Sequence, residues 1–149
     1  MLSIPLINMK RKIVIEILSS LLILLFVYTG VSKWLDFKTF TGQMNNQPLP
    51  NWMTPILVWT LPAVEIIISG FLMFDKTQLI GFRASLVLML LFTLYTLLVL
   101  LKTFGRIPCS CGGVIENLSW PQHLVFNLFF VGVALAGMIL KRKEKLKIS

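Results

Sequence analysis

An all-α membrane protein, built as an up-and-down bundle of four transmembrane helices, is the fold class this sequence predicts. Three observations carry that expectation. Hydrophobic residues make up 56% of the chain and charged residues only 13%. Mean hydropathy is +0.84. The apolar residues gather into four runs, each near the length of about 20 residues that a spanning helix needs. A soluble domain of 149 residues would carry far more charge on its surface.

The first run, residues 13–31, follows Lys10-Arg11-Lys12 and begins like a secretory signal. It is too long for one, and no clear small-x-small site follows; Gly30-Val31-Ser32 comes nearest. An uncleaved first membrane helix is therefore expected. Met9, just before the basic cluster, would also serve as a start, which would make the first eight residues an extension. Glu16, four residues after Lys12, is expected to form a local ion pair with it.

The second run covers residues 53–74 and holds Pro62, Glu65 and Ser69 on one helical stripe. Pro62 removes a backbone hydrogen bond and is expected to kink the helix. The third and fourth runs, residues 84–101 and 124–140, contain no charged residue. They are slightly short, so little tilt is expected. A short connection between the second and third runs makes those helices antiparallel neighbours. Gly132 and Ala136 form a small-xxx-small pair of the kind that packs helices together. No internal repeat or low-complexity segment is present, and residues 1–149 read as a single membrane domain.

The formal net charge is +8. Its positive residues cluster beside the apolar runs, so membrane orientation explains them better than nucleic-acid binding. With both termini in the cytoplasm, ten Lys and Arg residues lie inside and four (Lys33, Lys38, Lys102 and Arg106) outside. The expected location is a bacterial-type inner membrane, crossed four times. The outer loop at residues 32–52 carries Trp34, Phe37, Phe40 or Thr41, and Met44 near helical spacing. It reads either as a helix lying in the interface or as an aromatic belt with Trp52, Trp59 and Trp120.

The same orientation puts residues 102–122 outside, in a compartment that permits disulfides. This loop holds the only two cysteines, in Pro108-Cys109-Ser110-Cys111-Gly112-Gly113. A disulfide across one residue closes a small, strained ring. It removes almost no chain entropy, so it is a poor staple. Strained and exposed disulfides exchange readily. Gly112 and Gly113 allow a tight turn and the approach of a partner chain. Two thiolates would also suit Cu(I), whereas zinc needs four ligands and only His123 stands beyond the pair.

His123, the only histidine, follows Trp120-Pro121 at the start of the fourth span and shares a helix face with Asn127. It is read either as a proton shuttle for the thiols or as a polar residue at a helix start. Glu65 lies near the bilayer centre, where an ionisable group is costly and marks function by default. It is read as a proton or quinone site, or as a buried hydrogen bond that fixes packing. Its depth separates it from the cysteine loop.

Three stretches together resemble a known family. They are Tyr28-Thr29-Gly30-Val31-Ser32-Lys33-Trp34-Leu35-Asp36-Phe37, then Leu61-Pro62-Ala63-Val64-Glu65, then the cysteine hexapeptide. The chain resembles the MauE/DoxX-like membrane proteins, in particular the methylamine-utilisation MauE group. The resemblance implies a four-helix membrane protein tied to thiol redox outside the cytoplasm, supporting maturation of a disulfide-rich periplasmic methylamine dehydrogenase subunit. The cysteine role carries over to Cys109 and Cys111. The family pattern has Phe between the cysteine pair and the following Gly; here Gly112 follows directly, a departure that bears on the client rather than the fold.

The resulting expectation is a thiol–disulfide oxidoreductase or electron carrier. Cys109 and Cys111 form its redox pair, His123 its proton shuttle and Glu65 an intramembrane proton or quinone site. A membrane quinone is the one cofactor considered, although no quinone motif is visible. The expected partners are the lipid bilayer and a periplasmic thiol or disulfide protein. The alternatives are a non-catalytic assembly scaffold with incidental thiols, and Cu(I) handling.

Overall fold

A computed structural model describes residues 3–105 and 118–148. It contains five helices and, among the described residues, no strand: α1 (Ser3–Leu35), α2 (Phe37–Asn45), α3 (Met53–Met73), α4 (Gln78–Leu100) and α5 (Trp120–Ile148). Four of these, all but α2, are long and apolar enough to cross a membrane. The expected bundle is present. Its helices form a ring in which α1 packs on α3, α3 on α4, α4 on α5, and α5 back on α1.

The second span matches the sequence expectation to within a residue, while α1 and α5 run further at both ends and α4 further at its N-terminal end. The extra turns are polar-flanked, so hydropathy undercounts them although the backbone continues to form hydrogen bonds. At its N-terminal end α5 is set by Ser119, whose backbone N–H donates to Gln122 Oε1 at 2.9 Å. Ser-x-x-Gln is half of a capping box. Pro121 then falls in the first turn, where its missing N–H costs nothing. α3 runs as one helix through Pro62.

The close approach of α4 to its neighbours depends on two glycines. A Cβ at Gly81 of α4 would lie 2.8 Å from the Leu72 side chain, and one at Gly137 of α5 would lie 2.1 Å from the Phe82 ring. Gly132 meets nothing within 4 Å. The Gly132–Ala136 pair therefore faces outward, and the packing role expected of it belongs to Gly137, one residue round the helix from Ala136. Four residues after Lys12, Glu16 makes no ion pair with it. Both are exposed at the end of α1, and Lys before Glu is the weaker order for an i,i+4 pair.

The core between the helices is apolar, with Leu22, Phe26, Phe82 and Ala134 fully buried. Buried hydroxyls are satisfied by backbone carbonyls. Ser19 donates to Leu72 O across the α1–α3 contact at 3.0 Å, and Ser85 donates to Gly81 O at 2.7 Å. One end of the bundle gathers the α1 N-terminal region, the α3–α4 turn and the C-terminal half of α5, joined there by Lys141 and Asp75 at 3.0 Å. The opposite end carries α2, the C-terminal end of α4 and the N-terminal end of α5.

Candidate functional site

The last turns of helix α1 carry Gly30-Val31-Ser32-Lys33. At Gly30 the missing side chain lets α1 sit tightly on α3, where a Cβ would lie 3.1 Å from Ile66 and 3.2 Å from the Pro62 carbonyl. One turn on, Lys33 reaches across the same contact. Its Nζ lies 2.6 Å from Glu65 Oε1 and 2.9 Å from Oε2. Glu65 is 1% exposed and Lys33 9%. A carboxylate deep in a bilayer needs such a partner, and a lysine donating to both oxygens supplies it. The sequence places Lys33 in an outer loop. Its burial inside α1 is the main departure from that reading.

α2 is short and begins at Asp36, whose carboxylate accepts from the Thr39 N–H at 3.3 Å. It is a helix, as the spacing of Phe37, Phe40 and Met44 suggested. Phe37 packs on Trp59 of α3 with ring centroids 4.8 Å apart. Phe40 is buried and places its ring 5.9 Å from Lys33 Nζ, within reach of a cation–π contact. The apolar face of α2 thus turns inward, toward the ion pair.

Further polar groups stand toward the same end. Tyr95 OH donates to Gln47 Oε1. Asn127 Nδ2 donates to Thr96 Oγ1 at 3.2 Å, and Thr96 in turn donates to Phe92 O at 2.8 Å. The His123 ring lies between Trp120 and Phe126, with centroids 6.5 Å from each.

All of these groups line one cavity of about 420 Å³. Its walls between the polar ends are apolar, formed by Phe26, Leu57, Leu61, Met89, Phe92 and Phe126. Glu65 lies eight residues from the Met73 end of α3, and Tyr95 lies seventeen residues beyond Gln78, across a short turn. At 1.5 Å per residue those depths differ by about 14 Å. The cavity is therefore a slot along the bundle, with the ion pair at its deep end and Tyr95, Gln47 and His123 toward its mouth. Other depressions are shallow and lie along α1 alone or beside the α3–α4 turn.

Of the residues singled out from sequence, Glu65 and His123 come together on this cavity, together with Asn127. Cys109 and Cys111 lie outside the described residues. Among the described residues no group of three or more His, Cys, Asp or Glu side chains gathers. Lys33, Tyr95, Gln47 and Thr96 were not anticipated. Lys33 alone left a signal, since its sequence position completes a helical turn after Gly30.

A four-span bundle with a charged pair sealed between its helices defines a multi-pass membrane protein. Residues 11–140 match the family described as methylamine utilisation protein MauE, and the chain belongs to that family. No curated protein and no solved structure matches it.

Proposed function

We propose that this protein supports thiol–disulfide exchange outside the cytoplasm, with Cys109 and Cys111 as the exchanging pair. The observation that carries this reading is the placement of the only two cysteines. They stand one residue apart in the connection between α4 and α5. In the exchange a thiolate attacks one sulfur of a disulfide, a mixed disulfide forms, and the second thiolate displaces the departing thiol. The two electrons and two protons that one pair gives up are taken by the other, so no further reactant is needed for the exchange itself.

Orientation follows from charge. Lys33 neutralises Glu65 and does not count as a loop charge. The inside then holds ten basic residues against three outside. That bias puts both termini in the cytoplasm and the cysteine connection in the periplasm. In this reading His123, twelve residues after Cys111, carries the proton, and Glu65 is the intramembrane proton site. The family description makes a protein of methylamine utilisation the first client to test.

Single substitutions Cys109→Ser and Cys111→Ser, followed by an alkylating quench, test the exchange. One of the two should accumulate a mixed disulfide with a periplasmic protein. Unchanged client maturation in both variants would remove the redox role and leave a scaffold. A membrane-impermeant maleimide should label the wild-type thiols in cells whose outer membrane alone is opened.

A further inference from the structure

We infer that the slot between α1, α3, α4 and α5 is a binding site for a neutral, lipid-soluble quinone. Charge is the first argument. The two charged groups on its wall, Lys33 and Glu65, neutralise each other. Apart from His123 the remaining lining residues among those described are uncharged, so an ionic guest would find no counter-charge from them. A neutral one enters without that penalty.

Hydrogen-bonding capacity is the second. A lysine ammonium has three donors, and Lys33 makes two contacts, both to Glu65. An amide nitrogen has two donors, and Asn127 directs one to Thr96. Among the described residues the His123 ring makes no side-chain hydrogen bond. Donor capacity is thus left on lining residues at both depths, which suits a guest with carbonyl acceptors on opposite sides of a ring.

The walls supply the third argument. Phe26, Phe92, Phe126 and Trp120 with the Met89 thioether present aromatic and polarisable surface to a planar ring. A volume of about 420 Å³ falls within the range of about 300–1,000 Å³ usual for small-molecule sites. Leu91 lines the slot and is also 57% exposed on α4. That wall therefore reaches the lipid-facing surface, where an isoprenoid tail can leave.

The redox consequence, unlike the binding itself, rests on the thiol reading. When Cys109 and Cys111 close a disulfide, two electrons and two protons leave them. A quinone that accepts both becomes a quinol.

The test uses the full chain purified in detergent, with a photoreactive azidobenzoquinone carrying a decyl chain. Adducts should map to the α3 and α4 peptides that hold Leu61–Glu65 and Met89–Tyr95. Excess decyl-benzoquinone should suppress them about tenfold, and decanol should not. Leu61→Trp, which fills the slot, should reduce labelling about tenfold, while Leu94→Trp on the outer face should leave it unchanged. Leu57→Trp, at a half-buried lining position, replaces Leu61→Trp if that variant aggregates. Adducts scattered over the lipid-facing surface, or equal competition by decanol, would overturn the inference. The double variant Cys109→Ser/Cys111→Ser should label as the wild type does. Loss of the thiol role then leaves the labelling untouched, and loss of labelling leaves mixed-disulfide trapping untouched.

Discussion

Lys33 Nζ and Glu65 meet across the α1–α3 interface at 2.6 and 2.9 Å, thirty-two residues apart in sequence and almost wholly out of contact with solvent. The pair fixes the relative height of the two helices, since a shift of one turn would separate the charges by about 5 Å. Gly30 allows the approach, and the Phe40 ring of α2 stands 5.9 Å from the ammonium.

Removing one partner should therefore harm the fold more than removing both. Glu65→Ala or Lys33→Ala strands a buried charge, and each should lower unfolding free energy by about 3–5 kcal/mol. The double replacement Lys33→Met/Glu65→Leu keeps volume and strands nothing. It should recover most of that loss, as read by denaturant unfolding in micelles. Equal damage from the double and single variants would show that the pair contributes through shape alone.

At the opposite end of the bundle, Asp75 makes an exposed contact with Lys141 that adds a small pH dependence. The Lys141 ammonium, through its hydrogen bond and its charge, and more weakly Lys12, hold the Asp75 carboxyl below its ordinary range. A carboxyl depressed in the folded state stabilises at pH above its unfolded value. That contribution fades as pH falls through the unfolded and then the folded value. Asp75 is 62% exposed, so the effect should stay below about 1 kcal/mol. Asp75→Asn should be less stable than wild type by that amount near neutral pH. The difference should vanish once pH has fallen below the folded-state value, and shrink in high salt. Glu144, which shares Lys141 at 2.8 Å, is best replaced by Gln in both proteins for this measurement.

Much of the fold was legible because its signals are local. Apolar run length marks the four spans, and Trp120-Pro121 marks the start of the fourth. The stripe of Pro62, Glu65 and Ser69 correctly identified the inner face of α3, all three being buried. The site was only half legible. Glu65 and His123 declare themselves by residue type, but their shared cavity depends on how four helices sit side by side. Lys33 was hidden by a boundary: hydropathy ends the first span near Val31, whereas the helix continues to Leu35. A lysine there looks like a loop charge until its helix is seen to carry it inward. Gly137 was passed over for Gly132 because spacing alone does not say which face a neighbour occupies.

Asn127 and Thr96 link α5 to α4 by a hydrogen bond of 3.2 Å, and both side chains are buried. Polar links between helices in membranes contribute less than their burial suggests, because the unfolded helices also find partners. Asn127→Leu should lower stability by only about 0.6 to 1.7 kcal/mol. If the slot binds a carbonyl-bearing guest, the same substitution should weaken that binding while the bundle remains folded. Circular dichroism follows the fold and photolabelling follows the guest.

Gly137 and Gly132 lie five residues apart on α5 and should respond oppositely to the same methyl group. At Gly137 the added Cβ would fall 2.1 Å from Phe82 Cε1, 2.5 Å from Cδ1 and 2.6 Å from Cζ. Phe82 is fully buried, so its ring cannot swing aside without moving a neighbour. Gly137→Ala should force α4 and α5 apart and cost about 1–3 kcal/mol, the usual range for overpacking. Phe82→Leu in the same chain should return part of that loss by making room. Gly132→Ala meets nothing within 4 Å, and alanine is the better helix former by about 1 kcal/mol. That variant should be as stable as wild type or slightly more so. Thermal unfolding of the four proteins in one detergent checks the set. A stable Gly137→Ala would mean that α4 and α5 do not approach as closely as the Phe82 ring requires.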